Sequence, residues 1–132
     1  IILNRNASTV LDKNKVWHLR SKLDLQILKK ASKKLIGTHN FNAFRSSNCQ
    51  ASSPIRTLKS IKITKKNDKI FFVLRSRSFL KNQVRSIIGC LKYVGEKKWT
   101  IKDLEKVLKS QNRNSCAPPA PAQGLYLSKI IY

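Results

Sequence analysis

The sequence Ser78-Phe-Leu-Lys-Asn-Gln-Val-Arg-Ser-Ile-Ile-Gly-Cys-Leu91 joins the end of an apolar strand to a helix. Its apolar side chains fall within an arc of about 80–100° when each residue advances the helix by roughly 100°. Arg85 falls beside that arc, at the edge of the apolar face. An arginine at such an edge either extends its charged end to solvent or pairs with a specific anion. The pattern alone leaves both interpretations open.

The segments before this helix predict a further helix and a hairpin. A helix is expected from about Asp24, with Ser21 or Asp24 as its N-terminal cap, to Gly37, where a left-handed C-terminal cap is expected. Two strands flank a turn at residues 66–68, which is typical of an antiparallel hairpin. The second strand contains five consecutive apolar residues, 70–74, and is therefore expected to be covered on both faces.

The segments after it complete the predicted fold. Thr100 and Asp103 form a capping-box pattern, which predicts a short helix as far as about Lys109. A loop rich in Asn, Ser and Pro at 112–123 then precedes a predicted closing strand at 124–132. The order helix, strand, strand, helix, helix, strand indicates an α+β domain with an antiparallel sheet backed by helices. Phe41 and Phe44 are expected to be core residues.

The charge of the chain points to a polyanionic partner. Twenty-eight Lys and Arg residues face six Asp and Glu residues, for a net charge of +22. Such an excess repels itself in a compact state, which favours a nucleic-acid partner over a membrane surface. The alternative is drift towards A/T-rich codons, because Lys, Ile and Asn are all plentiful.

Several classes of protein are disfavoured by the composition. Three widely spaced cysteines without a CxxC pair fit a reduced cytoplasmic protein better than a disulfide framework or a zinc site. No apolar run approaches the roughly 18 residues that a membrane span needs. The chain lacks methionine altogether, so we expect it to be part of a longer protein.

The residues alone offer no complete catalytic apparatus. The six carboxylates are scattered, without a pair at metal-binding spacing, so no metal is expected. His18 and His39 lie in polar segments with no nucleophile motif beside them, and the four glycines form no phosphate-binding loop. The chain is therefore expected to bind an anion.

Four motifs occur in a familiar order. They are GTHNFNAFR at 37–45, SPIRT at 53–57, FLKNQVRSIIG at 79–89 and APPAPAQGLYL at 117–127. Together they resemble the C-terminal half of the tRNA pseudouridine synthase A (TruA) family, and the resemblance covers roughly residues 1–132. It implies the C-terminal half of a pseudouridine synthase-like catalytic fold, with the N-terminal half absent from this chain.

The resemblance implies a cofactor-free isomerase that converts uridine to pseudouridine at positions 38 to 40, in the anticodon arm of tRNA. The family enzyme is expected to be a cytoplasmic homodimer that binds tRNA across both subunits. Its reaction depends on an aspartate in a motif like GRTDAGVHA and on an aromatic residue, and this chain contains neither motif. The chain alone is therefore expected to be inactive. The alternative is a stand-alone basic RNA-binding module without catalysis.

The resemblance also implies roles for particular residues. Arg85 would pair with the catalytic aspartate of the missing half, while Leu125 and Tyr126 would line the pocket for the target base. Without the resemblance, Leu125 and Leu127 are simply the core face of a strand. Five further basic residues are candidate phosphate contacts: Arg45, Arg56, Arg75, Arg77 and Lys81.

Overall fold

The computed structural model of the chain describes residues 1–4, 16–19, 21–46 and 52–126. Within these ranges the strands are β1 (Ile2–Asn4), β2 (Trp17–Leu19), β3 (Gly37–Asn40), β4 (Ile55–Lys66) and β5 (Lys69–Ser76). The α-helices are α1 (Leu25–Ser32), α2 (Gln83–Gly95) and α3 (Ile101–Ser110). Short 3₁₀ turns cover Lys33–Leu35, Asn42–Phe44, Arg113–Ser115 and Ala122–Gly124.

The five strands form one sheet in the order β2-β1-β5-β4-β3. Strands β3, β4, β5 and β1 pair in antiparallel fashion, and β2 joins the edge parallel to β1. The predicted α+β class with an antiparallel sheet backed by helices is confirmed, with one parallel pair at its edge.

The geometry of the hairpin formed by β4 and β5 depends on its turn and on one shift in strand register. Asn67 adopts a left-handed conformation with φ of 56°, which Asn tolerates better than most residues, and so the two-residue turn closes between Lys66 and Lys69. The register shifts between Leu58 and Ser60. A bulge at this point explains how Leu58, three positions before Ile61, still packs into the same core.

Local capping chemistry determines where two of the helices begin. The Asp24 carboxylate accepts hydrogen bonds from the backbone N–H groups of Gln26 and Ile27, at 3.0 and 3.2 Å. Thr100 and Asp103 form the predicted capping box of α3. Gly37 has a positive φ of 109°, but it is the first residue of β3 rather than a left-handed helix cap.

The core lies between the helices and one face of the sheet. Phe41 and Phe44 are fully buried, as predicted. Further large apolar residues that are fully buried come from the three helices, from the 3₁₀ turn after α1 and from the sheet: Ile2, Leu28, Leu35, Leu58, Ile70, Ile87, Leu91 and Leu104. Burying this apolar surface is the main source of stability for the domain.

The other face of the hairpin is open. Val73 is 43% exposed, so the prediction that residues 70–74 are covered on both faces is wrong within the described chain. Its exposed neighbours on β4 and β5 are mostly polar or basic: Lys62, Thr64 and Arg75. The apolar run gives one inward row, in which Ile70 is buried and Phe72 and Leu74 pack against the core.

The structure contains three strands that the sequence patterns did not predict. β1, β2 and β3 have only three or four residues each, which is too short to show an alternating pattern. The predicted closing strand at 124–132 is not seen at its start, because Gly124 ends a 3₁₀ turn and residues 125–126 lie in no strand. Its remainder, residues 127–132, lies outside the described residues.

Candidate functional site

Arg85 is held at the N-terminal end of α2 by both its backbone and its side chain. Its Nε–H donates a hydrogen bond to the Ala120 carbonyl at 2.7 Å, and the Arg85 carbonyl accepts one from the Ala120 N–H at 2.9 Å. Its Nη1 donates to the Asn82 side-chain carbonyl at 3.3 Å. These contacts fix the guanidinium of a half-buried residue in one orientation.

The proline-rich loop after α3 lies directly against α2. At Gly89, a Cβ atom would lie only 2.1 Å from the Pro118 carbonyl oxygen, so no residue with a side chain fits there without moving the loop. Ala117 and Ala120 of the same loop are buried. The loop that bonds to Arg85 is therefore positioned by close packing as well as by hydrogen bonds.

Two thiols join the same loop to α2. The sulfur atoms of Cys90 and Cys116 lie 3.3 Å apart, and both are free thiols. The hydrogen bond between them and burial raise the pKa of Cys90, whereas the same hydrogen bond lowers the pKa of Cys116. Cys116 is therefore the acceptor in this pair when it ionises.

Arg85 has no carboxylate partner among the described residues. Each described carboxylate has a role elsewhere: Asp24 and Asp103 cap helices, Glu96 and Glu105 pair with lysines, and Asp68 lies in the hairpin turn. Within the same residues no hydrogen bond or ion pair reaches Nη2 of Arg85. The guanidinium is thus oriented while part of it stays available to an anion.

Leu125 and Tyr126 follow the turn that contacts the first strand. They are 47% and 53% exposed, so Leu125 is not a core residue of a strand, as the pattern alone suggested. The turn before them is fixed, because a Cβ atom at Gly124 would lie 2.8 Å from the carbonyl oxygen of Ile1. Both side chains therefore extend from an anchored segment. Their role in binding a base stays a prediction.

The five basic candidates separate into three groups. Arg45 and Lys81 lie near the start of α2, where the Ser46 N–H donates to the Lys81 carbonyl at 2.9 Å. Arg75 and Arg77 are exposed at the end of β5. Arg56 binds the carbonyls of Ser53 and Ile55, both at 2.8 Å, so its guanidinium already has backbone partners. None of these contacts tests whether the five residues bind RNA.

Sequence reasoning missed the residues that hold Arg85 in place. Ala120 acts through its backbone, which leaves no side-chain signature, and it lies 35 positions from Arg85. Asn82 has a left-handed conformation, with φ of 64°, at the start of α2. The available signal was Gly89, because a glycine inside a helix often marks the close approach of another segment.

The described ranges were searched for candidate metal clusters and membrane-spanning helices. These residues contain no cluster of three or more His, Cys, Asp or Glu side chains that could hold a metal ion. None of the helices found there has the length and apolarity needed to cross a bilayer.

Comparison with known proteins identifies the family. A family model described as tRNA pseudouridine synthase matches residues 31–132. The chain belongs to this tRNA pseudouridine synthase family. It is 52% identical, over its whole length, to tRNA pseudouridine synthase A of Pelagibacter ubique, of which it covers 54%. It is 43% identical over 99% of its length to the enzyme of the same name from Xanthobacter autotrophicus, again covering 54%.

The family prediction from the four motifs is therefore confirmed, and the fold agrees with it. The members of this family are isomerases that act on tRNA. The chain spans about half the length of the curated relatives that it matches.

Proposed function

We propose that this chain is the C-terminal half of a cytoplasmic tRNA pseudouridine synthase that isomerises uridine at positions 38 to 40 in the anticodon arm. The observation that carries the proposal is the geometry of Arg85. Its guanidinium is oriented by Ala120 and Asn82, yet none of the described carboxylates pairs with it. A catalytic aspartate from the other half of the enzyme would complete this arrangement.

The physical role of Arg85 follows from its charge and shape. A guanidinium beside a carboxylate stabilises the ionised form and lowers the pKa of the carboxyl group. Its planar donor groups also fix the orientation of the carboxylate through two parallel hydrogen bonds. Arg85 would thus keep the catalytic aspartate charged and aimed at the substrate, without taking part in bond making itself.

The proposed reaction needs no cofactor. The glycosidic bond between N1 of uracil and the ribose breaks, the freed base turns, and a new bond forms from C5 to the same ribose carbon. The C5 proton is lost and N1 gains a proton, so the product is an isomer of the substrate. Leu125 and Tyr126 are exposed on an anchored segment and could contact the base during this rotation.

The basic surface supplies the tRNA contacts in this proposal. The net charge of +22, together with the carboxylates that are engaged elsewhere, leaves many lysines and arginines for phosphates. The full-length enzyme is expected to act as a homodimer with tRNA across both subunits. The chain by itself is expected to bind tRNA weakly and to form no pseudouridine.

The test uses the full-length enzyme and an unmodified tRNA transcript. Pseudouridine is mapped by carbodiimide modification and primer extension, and we expect stops only in the anticodon arm, at positions 38 to 40. The same assay on the 132-residue chain should give none. Tight tRNA binding by the full-length protein with no pseudouridine at any position would contradict the proposal and favour the RNA-binding module without catalysis.

A further inference from the structure

A cavity of about 220 Å³ lies beside Arg85, between three separate segments of the chain. Arg45 and Ser46 line it after the 3₁₀ turn Asn42–Phe44, and Asn82 and Ser86 line it from the start of α2. Arg113 and Pro119 line it from the loop after α3. The cavity is therefore built from the segments that also position Arg85.

The part of the cavity lining that the structure describes is positively charged. It includes two arginines and no acidic residue. The described carboxylates are engaged at helix caps, in lysine pairs and in the hairpin turn. Two guanidinium groups at one cavity repel each other, so an anion bound between them would be stabilised.

The walls of the cavity are held in place by backbone hydrogen bonds. The Ser46 N–H binds the Lys81 carbonyl at 2.9 Å, and the Ser86 N–H binds the Asn82 carbonyl at 2.9 Å. On the other side, the Cys116 N–H binds the Arg113 carbonyl at 3.1 Å. Phe44, immediately before Arg45, is fully buried. A ligand here would meet a largely preformed site, which reduces the entropy lost on binding.

Arg113 is the residue that the sequence interpretation did not assign. It is exposed at the start of the 3₁₀ turn Arg113–Ser115, and its guanidinium has no hydrogen bond or ion pair within the described residues. Arginine matches phosphate oxygens well because its donors form a planar fork. Serine hydroxyl groups, such as those of Ser46 and Ser86, are also common donors to phosphate.

We propose that this cavity is a phosphate-binding site for the tRNA backbone beside the nucleotide held at Arg85, with Arg113 and Arg45 as its cations. The inference rests on the proposed function for the identity of the ligand. Asn82 links the two sites, because it lines the cavity and also accepts a hydrogen bond from Nη1 of Arg85. A phosphate in the cavity would therefore fix the RNA backbone next to the reacting nucleotide.

The first test measures tRNA affinity of the full-length enzyme as a function of salt. Arg113→Gln should reduce the magnitude of the log–log slope by about 0.7–0.9, the value for one lost phosphate contact. The matched control is Lys102→Gln, an exposed residue of α3 that does not line the cavity, and it should leave the slope unchanged. A slope for Arg113→Gln equal to that of the wild type would overturn the proposal.

The second test separates the cavity from the enzyme's function, with inorganic phosphate as the probe. Backbone amide shifts of Ser46, Ser86 and Cys116 should saturate together in the full-length protein and should not do so in Arg113→Gln. If these amides do not respond, the cavity proposal fails even when pseudouridine is formed normally. If they respond but no pseudouridine is formed, the cavity binds phosphate and the proposed function alone is wrong.

Discussion

Gly89 lets the loop that bonds to Arg85 pack directly against α2. Glycine inside a helix costs roughly 0.5–1 kcal/mol relative to alanine, so its presence in α2 needs a compensating reason. That reason is the Pro118 carbonyl oxygen, which lies 2.1 Å from where a Cβ atom would be. Arg85 at the edge of the apolar face could be predicted from sequence. Its bond to Ala120 could not, because a distant backbone carbonyl leaves no pattern.

Gly89→Ala should therefore lower both stability and activity. The added methyl group must displace the loop, which we expect to reduce the free energy of unfolding by about 1–3 kcal/mol. The same displacement should lower the turnover of the full-length enzyme, because Ala120 holds the Arg85 side chain. Gly95→Ala is the matched control, since the three atoms nearest to its Cβ would belong to leucine side chains, at 3.0–3.3 Å, rather than to the backbone. Urea denaturation measures the free energy of unfolding of both variants. Equal stability of Gly89→Ala and wild type would contradict the close approach.

At the scale of elements, local chemistry was predictable and pairing was not. Asp24 and the Thr100–Asp103 capping box mark helix starts through bonds that span only two or three residues. β1, by contrast, is held by pairing with β2 and with β5, and β2 by pairing with β1, so β1 depends on residues far away in sequence. The sequence correctly indicated the hairpin of β4 and β5 and the three helices. It did not indicate β1 and β2, beside β5, or β3, beside β4.

The corner between α2 and α3 depends on Glu96. Its side chain is only 8% exposed, and Oε1 lies 3.3 Å from Nζ of Lys92 and 3.7 Å from Nζ of Lys98. The Ser21 hydroxyl donates a hydrogen bond to Oε2. Burial alone would raise the pKa of Glu96, but the bond from Ser21 and the charge of Lys92 outweigh it, and the pKa lies below its ordinary value of 4.5.

Glu96 should stabilise the fold at neutral pH and cease to do so in acid. Because its folded pKa is lowered, its contribution is complete above 4.5 and is lost as the pH falls through the folded pKa. Glu96→Gln should lower the free energy of unfolding by about 1–3 kcal/mol at pH 7, and the difference from wild type should shrink as the pH falls below 4.5. Glu105→Gln is the control, because its pair with Lys34 is largely exposed and should contribute about 0–1 kcal/mol. Denaturant titrations at several pH values measure these free energies of unfolding. If the difference between Glu96→Gln and wild type is as large in acid as at pH 7, this role of Glu96 is contradicted.

At the scale of the whole molecule, the net charge of +22 and the open face of the sheet both favour a polyanionic partner. One face of the sheet packs on the helices, while the other exposes Val73 among basic and polar side chains. The family and fold could be inferred from four motifs, two of which, at 79–89 and 117–127, meet at the Arg85 site. The cavity beside Arg85 could not be inferred from sequence, because three separate segments of the chain must meet to form it.

The central claim is that Arg85 orients a catalytic aspartate rather than binding the tRNA backbone. The most direct test compares turnover and tRNA affinity of Arg85→Ala in the full-length enzyme. We expect turnover to fall by about a hundredfold to a thousandfold, or about 3–4 kcal/mol of transition-state stabilisation, with affinity nearly unchanged. Lys102→Ala serves as the control and should alter neither quantity. If the affinity of Arg85→Ala falls as far as its turnover, Arg85 is a phosphate contact and the account is wrong.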